Sequence, residues 1–256
     1  MRLDQEEILM PYYDPDDQLI TSLPLMNVRE MGGMPLEGGR LFANGRFLRS
    51  ASPSELKSGS EVKAVIDYGV GVVIDLRSEA ELNKQGNPFK DDPDVEFYSI
   101  PLFLGDPGSI DDKTMIYLKT HTMGDFYINV TEELKSGIAE VMRVFITTDK
   151  LVLFHCAHGN DRTGIIAALL YLLSGAGRDD IVLNYKVSYG YLKDFLDPLI
   201  AKAPDALKHT LRSDASNMEQ LLDHIENKYG DVRGYLDSAG LSREEQDLLL
   251  IKCLTP

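Results

Sequence analysis

The chain has 256 residues, 43% of them apolar and 26% charged, which is enough length and apolar content for a sizeable core. Its net charge is −15, from 26 Lys and Arg against 41 Asp and Glu. That excludes broad electrostatic docking on nucleic acid or on an anionic membrane, though not a small, locally positive pocket for an anion. Two cysteines, Cys156 and Cys253, are too few for a disulfide framework and point to a reducing compartment.

Residues 1–25 are acidic, contain Pro and Asp, show no period and read as an extension ahead of a single domain over 26–256. The N-terminus has no basic, apolar leader, and the longest apolar run, Ile165–Leu173, is too short to span a bilayer. The chain as given therefore reads as cytoplasmic. Residues 40–50 read as a hairpin turning at Asn44-Gly45. Residues 60–68 have helical spacing, and Val70–Leu76 is a β-branched run expected to be a buried parallel strand. A short helix over Ser78–Asn83 and a strand over Val95–Ile100, stopped by Pro101, follow. Residues 104–112 form a Gly/Pro/Asp loop, and 104–126 is a candidate lid over a site. Met115–Leu118 and Phe126–Phe145 have helical patterns, the second with Val130, Leu134, Ile138, Val141 and Phe145 near one face.

Leu151–Phe154 is a short buried strand, and Thr163–Ser174 is too apolar for a surface helix. The C-terminal third is helical by pattern, with Met218–Tyr229, Val232–Ser238 and Arg243–Leu250 separated by glycines. Strands alternating with helices, then a helical C-terminal region, predict an α/β fold with a central, mostly parallel sheet flanked by helices.

The stretch FHCAHGNDRTG (Phe154–Gly164) joins the last predicted strand to the apolar helix. A loop at a helix N-terminus presents backbone N–H groups and positive potential to an anion. Gly159 lets the loop turn tightly, and Arg162 supplies a planar fork suited to two phosphate oxygens. A cysteine is only a few per cent thiolate at neutral pH, and a helix N-terminus with neighbouring cations raises that fraction. A loop that binds phosphate therefore also suits Cys156 as a nucleophile.

HCAHGNDRT matches the protein-tyrosine-phosphatase signature, His-Cys-x5-Arg-Ser/Thr. NVREMGG (Asn27–Gly33), FLRS (Phe47–Ser50), VIDLRSEAE (Val73–Glu81) and the C-terminal segment resemble an atypical bacterial group of that superfamily, over about residues 26–254. The group acts on phosphotyrosine and phosphoinositides. The resemblance implies a cysteinyl-phosphate reaction with no metal and no cofactor. It implies Cys156 as nucleophile, Arg162 as phosphate clamp and Asp161 as general acid, since the chain has no Trp and so no Trp-Pro-Asp loop. Ala157, His158, Gly159 and Asn160 would line the phosphate site, and the Thr163 hydroxyl would hydrogen-bond the thiolate. Two residues depart from the group's pattern: Glu30 replaces an Asp, and Asn160 replaces a Lys inside the loop.

His155 reads as support beneath the loop, and His158 as pointing outward. Asp75 and Arg77, at a strand end, either brace the loop or touch substrate. Asp125 and Asp106 read as solvated, with Asp125 the second choice for the acid. Asp161 has helix N-cap as its competing reading. No second Cys/His cluster supports a metal at His155, Cys156 and His158. The neutral Asn160 and the acidic surface favour phosphotyrosine, with dual specificity open. A phosphoinositide phosphatase, a silent phosphate-binding module and a sulfur carrier are the alternatives. The expected partner is a phosphorylated protein or small phosphomonoester, without nucleic acid or stable membrane association.

Overall fold

The computed structural model describes residues 12–109 and 111–255. In chain order it forms β1 (Arg29–Glu30), β2 (Pro35–Leu36), β3 (Arg40–Leu41), β4 (Phe47–Ser50), α1 (Gly59–Asp67), β5 (Val70–Asp75), α2 (Glu79–Gln85), β6 (Glu96–Ser99), α3 (Lys113–Tyr117), α4 (Met123–Glu133), α5 (Lys135–Thr147), β7 (Leu151–His155), α6 (Asp161–Ser174), α7 (Arg178–Lys202), α8 (Ala215–Tyr229), α9 (Val232–Ser238) and α10 (Arg243–Leu254). The main sheet has the order β1-β4-β7-β5-β6. Among the described strands of this sheet, β1–β4 pair antiparallel and the other three pairings are parallel. The fold class is therefore the one the alternating pattern predicts.

β7 lies between two parallel neighbours, and its Val152–Phe154 core is fully buried. That burial on both faces is why the run carries no polar alternation. α6 follows β7 at once and is buried from Arg162 to Tyr171, with Gly175 closing it in the left-handed conformation. The central position of α6 explains a helix with no polar stripe. Among the described residues no helix is long and apolar enough to cross a membrane.

Two local readings are corrected. Residues 40–50 are not one hairpin: β3 pairs with β2, whereas β4 enters the main sheet beside β7. The turn at Asn44-Gly45 is real, with Gly45 at φ 75° and its N–H held by the Glu30 carboxylate. β4 is buried on both faces, so it belongs in a sheet interior and not in an exposed ribbon. Phe126–Phe145 is also two helices. Leu134 leaves helical geometry (φ −116°, ψ 30°) while its side chain stays against the core, so the apolar spacing runs through the break unaltered.

Part of the predicted extension, residues 12–25, lies within the described structure. Tyr13 joins the main core, and Gln18 is buried and donates to the carbonyls of Met31 and Gly32. Leu23 and Leu25 pack with Val28, Leu48 and Val73 on the opposite face of the sheet. Residues 1–11 of that extension lie outside the described residues.

Candidate active site

The register of the sheet sets the site. Ser50, His155 and Asp75 are in one row, at the C-terminal ends of three adjacent parallel strands. The loop Cys156–Asn160 leaves from the middle of that row, at the edge where open α/β sheets bind ligands.

The loop carbonyls are taken one by one from behind. His155 O accepts from Leu76 N (2.9 Å), and Ala157 O from Ser52 N (2.9 Å). Cys156 O accepts from His155 Nδ1 (3.0 Å) and His158 O from Asn27 Nδ2 (3.0 Å). Gly159 O accepts from Arg49 Nη2 (2.9 Å) and more weakly from Asn27 Nδ2 (3.3 Å). In a planar trans peptide the N–H points opposite to the C=O. The N–H groups of Ala157 to Asn160 therefore face away from this framework, and among the described residues they donate to no protein acceptor. That is an anion nest at the start of α6. Gly159 is at φ 68°, and a Cβ there would lie 2.2 Å from Ser50 O, so only glycine allows the loop this close to β4.

A buried polar framework holds the donors. Asp75 and Arg77 are fully buried and paired at 2.7 Å, and Asn87 bridges Asp75 to His155 Nε2. Burial works against the Asp75 carboxylate, but His155, Arg77 and Asn87 outweigh it and hold its pKa at about 2. Burial lowers the pKa of His155, and Cys156 O can only accept, so Nδ1 carries a proton. Asp75 and Arg77 are fully buried, and neither lines the cavity.

Arg49 and Arg29 are also buried, and neither meets a carboxylate within ion-pair distance among the described residues. Asn184 accepts from Arg49 Nη1 on its side chain (2.7 Å) and from Arg29 Nη1 on its carbonyl (2.5 Å). Its amide in turn donates to Tyr13 and Gln18.

Above the nest is a cavity of about 440 Å³. Ala157, His158, Asp161 and Arg162 form its polar floor, with Glu81 beside them. Phe103, Met115, Leu118, Met123, Phe126 and Leu207 make apolar walls. The candidate lid thus supplies much of one wall, including Asp106, which pairs with Lys84 at 2.6 Å across the rim. Cys156 is a free thiol, 1% exposed, and is not among the lining side chains. Arg162 forks onto Glu81 (2.6 and 2.9 Å). Burial opposes its charge, but Glu81, Cys156 and Asp161 more than restore it.

Asp161 is half-buried on the floor, and desolvation lifts its pKa to about 6 despite the opposing pull of Tyr127 and Arg162. Its Oδ1 accepts from the Tyr127 hydroxyl at 2.5 Å.

Several expectations are revised. His158 does not point outward. Its half-buried ring lines the cavity near Phe195, and burial with Arg162 lowers its pKa to about 4. Gly159, Asn160 and Thr163 lie outside the lining. The Thr163 hydroxyl is buried with no hydrogen-bond partner among the described residues, so the bond to the Cys156 thiol is not made. Asp125 is a helix residue and not a loop residue, and it does not line the cavity: it caps α4 with Thr122 and accepts from Gln220 Nε2. Glu30, the departure from the group's pattern, accepts from the N–H groups of Met31, Gly32 and Gly45 and does turn-building work.

Glu81, Tyr127 and Asn27 were not singled out by sequence. Ser78 and Glu81 form a capping box, whose S-x-x-E spacing was legible, but nothing local shows that Glu81 also meets Arg162. Among the described residues no group of three or more His, Cys, Asp or Glu is placed to hold a metal ion.

An anion nest opened by a free cysteine, at the C-terminal edge of a parallel sheet, defines a phosphate-handling α/β protein. The profile described as the tyrosine phosphatase family matches residues 21–255, and the chain belongs to that family. It is a phosphatase. A Cupriavidus necator protein provisionally named a tyrosine-protein phosphatase is 29% identical over 227 residues, covering 84% of this chain and 81% of its own. A tyrosine-protein phosphatase of Nostoc commune is 28% identical over 218 residues, covering 80% and 73%. A crystal structure of a Cys-to-Ser form of P. aeruginosa TpbA in complex with phosphotyrosine aligns with 93% of this chain and 99% of its own, at 14% identity and TM-score 0.42.

Proposed function

We propose that this phosphatase hydrolyses phosphomonoesters through a cysteinyl-phosphate intermediate, acts best on phosphotyrosine in proteins, and extends to phosphoserine. The observation that carries the reading is the loop itself: His155–Gly159 have every carbonyl engaged by a partner, which leaves the following N–H groups turned away from those partners in the loop that begins at Cys156 and leads to Arg162.

A phosphate dianion in the nest accepts from those N–H groups and from Arg162, whose orientation Glu81 holds. The Cys156 thiolate attacks phosphorus as the ester P–O bond breaks, and Asp161 gives its proton to the leaving oxygen. Water then attacks phosphorus, Asp161 takes a proton from it, and the S–P bond breaks to release phosphate and the thiolate.

Two features favour an aryl monoester over a phosphoinositide. The walls are apolar and aromatic, which suits a ring. The lining cations Arg162 and Lys84 are each already matched by a carboxylate, Glu81 and Asp106, leaving no surplus charge for a second phosphate. The acidic surface and the two free cysteines fit a phosphoprotein partner in the cytoplasm, without stable membrane association.

The test is kcat/KM over a panel of phosphotyrosine and phosphoserine peptides and inositol phosphates, with chelator present. A preference for phosphotyrosine is expected. A large advantage for an inositol phosphate overturns the substrate assignment, and an inert wild-type protein that still binds vanadate overturns catalysis.

A further inference from the structure

The loop acid is held by a residue far from it in sequence. Asp161 opens α6, while Tyr127 belongs to α4 and Tyr185 to α7. Tyr127 is fully buried, and its hydroxyl lies 2.5 Å from Asp161 Oδ1 and 2.6 Å from the Tyr185 hydroxyl. Tyr127 has one proton, and Asp161 takes it, so Tyr185 is the donor in the second bond. The result is a directed chain, Tyr185 to Tyr127 to Asp161.

Both side-chain bonds to the carboxyl reach the same oxygen. Asn160 Nδ2 also donates to Oδ1, at 3.3 Å. With Oδ1 occupied by two donors, a proton on the carboxyl belongs on Oδ2. Asp161 lines the cavity, as does Phe126, the residue before Tyr127. One turn of α4 therefore supplies both a wall of the pocket and the anchor of the acid.

We propose that Tyr127, backed by Tyr185, is the positioning residue that decides which oxygen of Asp161 carries the proton given to the leaving group. This rests on the reading of Asp161 as general acid. The step balances: the ester P–O bond breaks, the S–P bond forms, and the leaving oxygen keeps the bonding pair and takes the Oδ2 proton. Tyr127 gains and loses nothing in it; it keeps Oδ1 as acceptor throughout. The other charged or titratable groups acting on Asp161 are Arg162 on its own helix, Arg49 from β4 and Tyr185 from α7. Both arginines favour the carboxylate, as Tyr127 does, and burial opposes it.

The role has a signature that mere packing lacks. An acid matters for a poor leaving group and hardly at all for a good one. Tyr127→Phe keeps the ring and removes the hydroxyl. Its kcat/KM is expected to fall about 10-fold on phenyl phosphate and by less than about 2-fold on 2,4-dinitrophenyl phosphate. Its basic pH limb is expected to move up, because a hydrogen bond that favours the carboxylate is gone. Tyr185→Phe, which leaves Tyr127 in place, should show the same pattern, smaller. It keeps the test open if Tyr127→Phe does not fold.

Equal losses on both substrates, or no loss on either, overturn the inference. Asp161→Asn in the same series separates this from the parent reading. If Asp161→Asn shows the leaving-group dependence and the tyrosine variants do not, only the tether fails. If Asp161→Asn shows none, Asp161 is not the acid and both fail.

Discussion

The floor of the site and its walls are built in different ways. Beneath the loop, Asp75, Arg77, His155 and Arg49 are buried and tied to one another or to the loop by side-chain hydrogen bonds, and buried Arg29 shares Asn184 with Arg49. Around the cavity, Met115, Leu118 and Phe126 meet the site through apolar contact alone, and the rim pair Lys84–Asp106 is largely in water. A buried polar framework has one low-energy arrangement, because each lost bond leaves a desolvated group. An apolar wall tolerates repacking. The floor is therefore suited to an invariant task, holding phosphate and thiol, and the walls to choosing what the phosphate is attached to.

The largest expected effect breaks the floor's chemistry and leaves its shape. Cys156→Ser should lower turnover at least about 10³-fold while keeping vanadate binding by calorimetry; retained turnover would remove the thiol from the mechanism. Next comes the framework itself. Asp75→Asn strands buried Arg77 and should cost about 3–5 kcal/mol in denaturant unfolding, whereas a cost near zero would mean the floor is as tolerant as the walls.

The same pair makes the floor sensitive to acid. The folded pKa of Asp75 is about 2, against about 3.9 for an unfolded carboxyl. A depressed carboxyl stabilises the fold in full above the unfolded value and loses that contribution as pH falls through the folded one. About 2 kcal/mol should disappear between roughly pH 4 and pH 2, and Asp75→Asn should lack that component.

Asp161 is where the two regions meet. Its acid role requires the protonated form, and its pKa is raised to about 6. kcat/KM for phenyl phosphate should therefore fall as pH rises above about 6, and Asp161→Asn should lose about 10²-fold and flatten that limb. A limb unchanged in Asp161→Asn would place the acid elsewhere.

The walls should give the smallest effects. Met115→Ala should lower the preference for phosphotyrosine over phosphoserine by about 3- to 10-fold with kcat on small aryl phosphates kept. Lys84→Ala should change stability by no more than about 0.5 kcal/mol. A loss of several kcal/mol in either would show that the rim is part of the framework.

By itself the sequence determined the α/β class, the central buried α6, and the loop with Cys156, Asp161 and Arg162. Each of these is written in contiguous residues: an apolar run of one period, a glycine, and a fixed offset from cysteine to arginine. Strand partnership, the break at Leu134 and the framework behind the loop were decided only in the tertiary structure. Asn27, Arg49, Glu81 and Tyr127 reach the loop and the first turn of α6 from 34 to 132 positions away along the chain. No local period or spacing encodes such contacts. Burial gives them their force, since the same side chains in water would spend their hydrogen bonds on solvent.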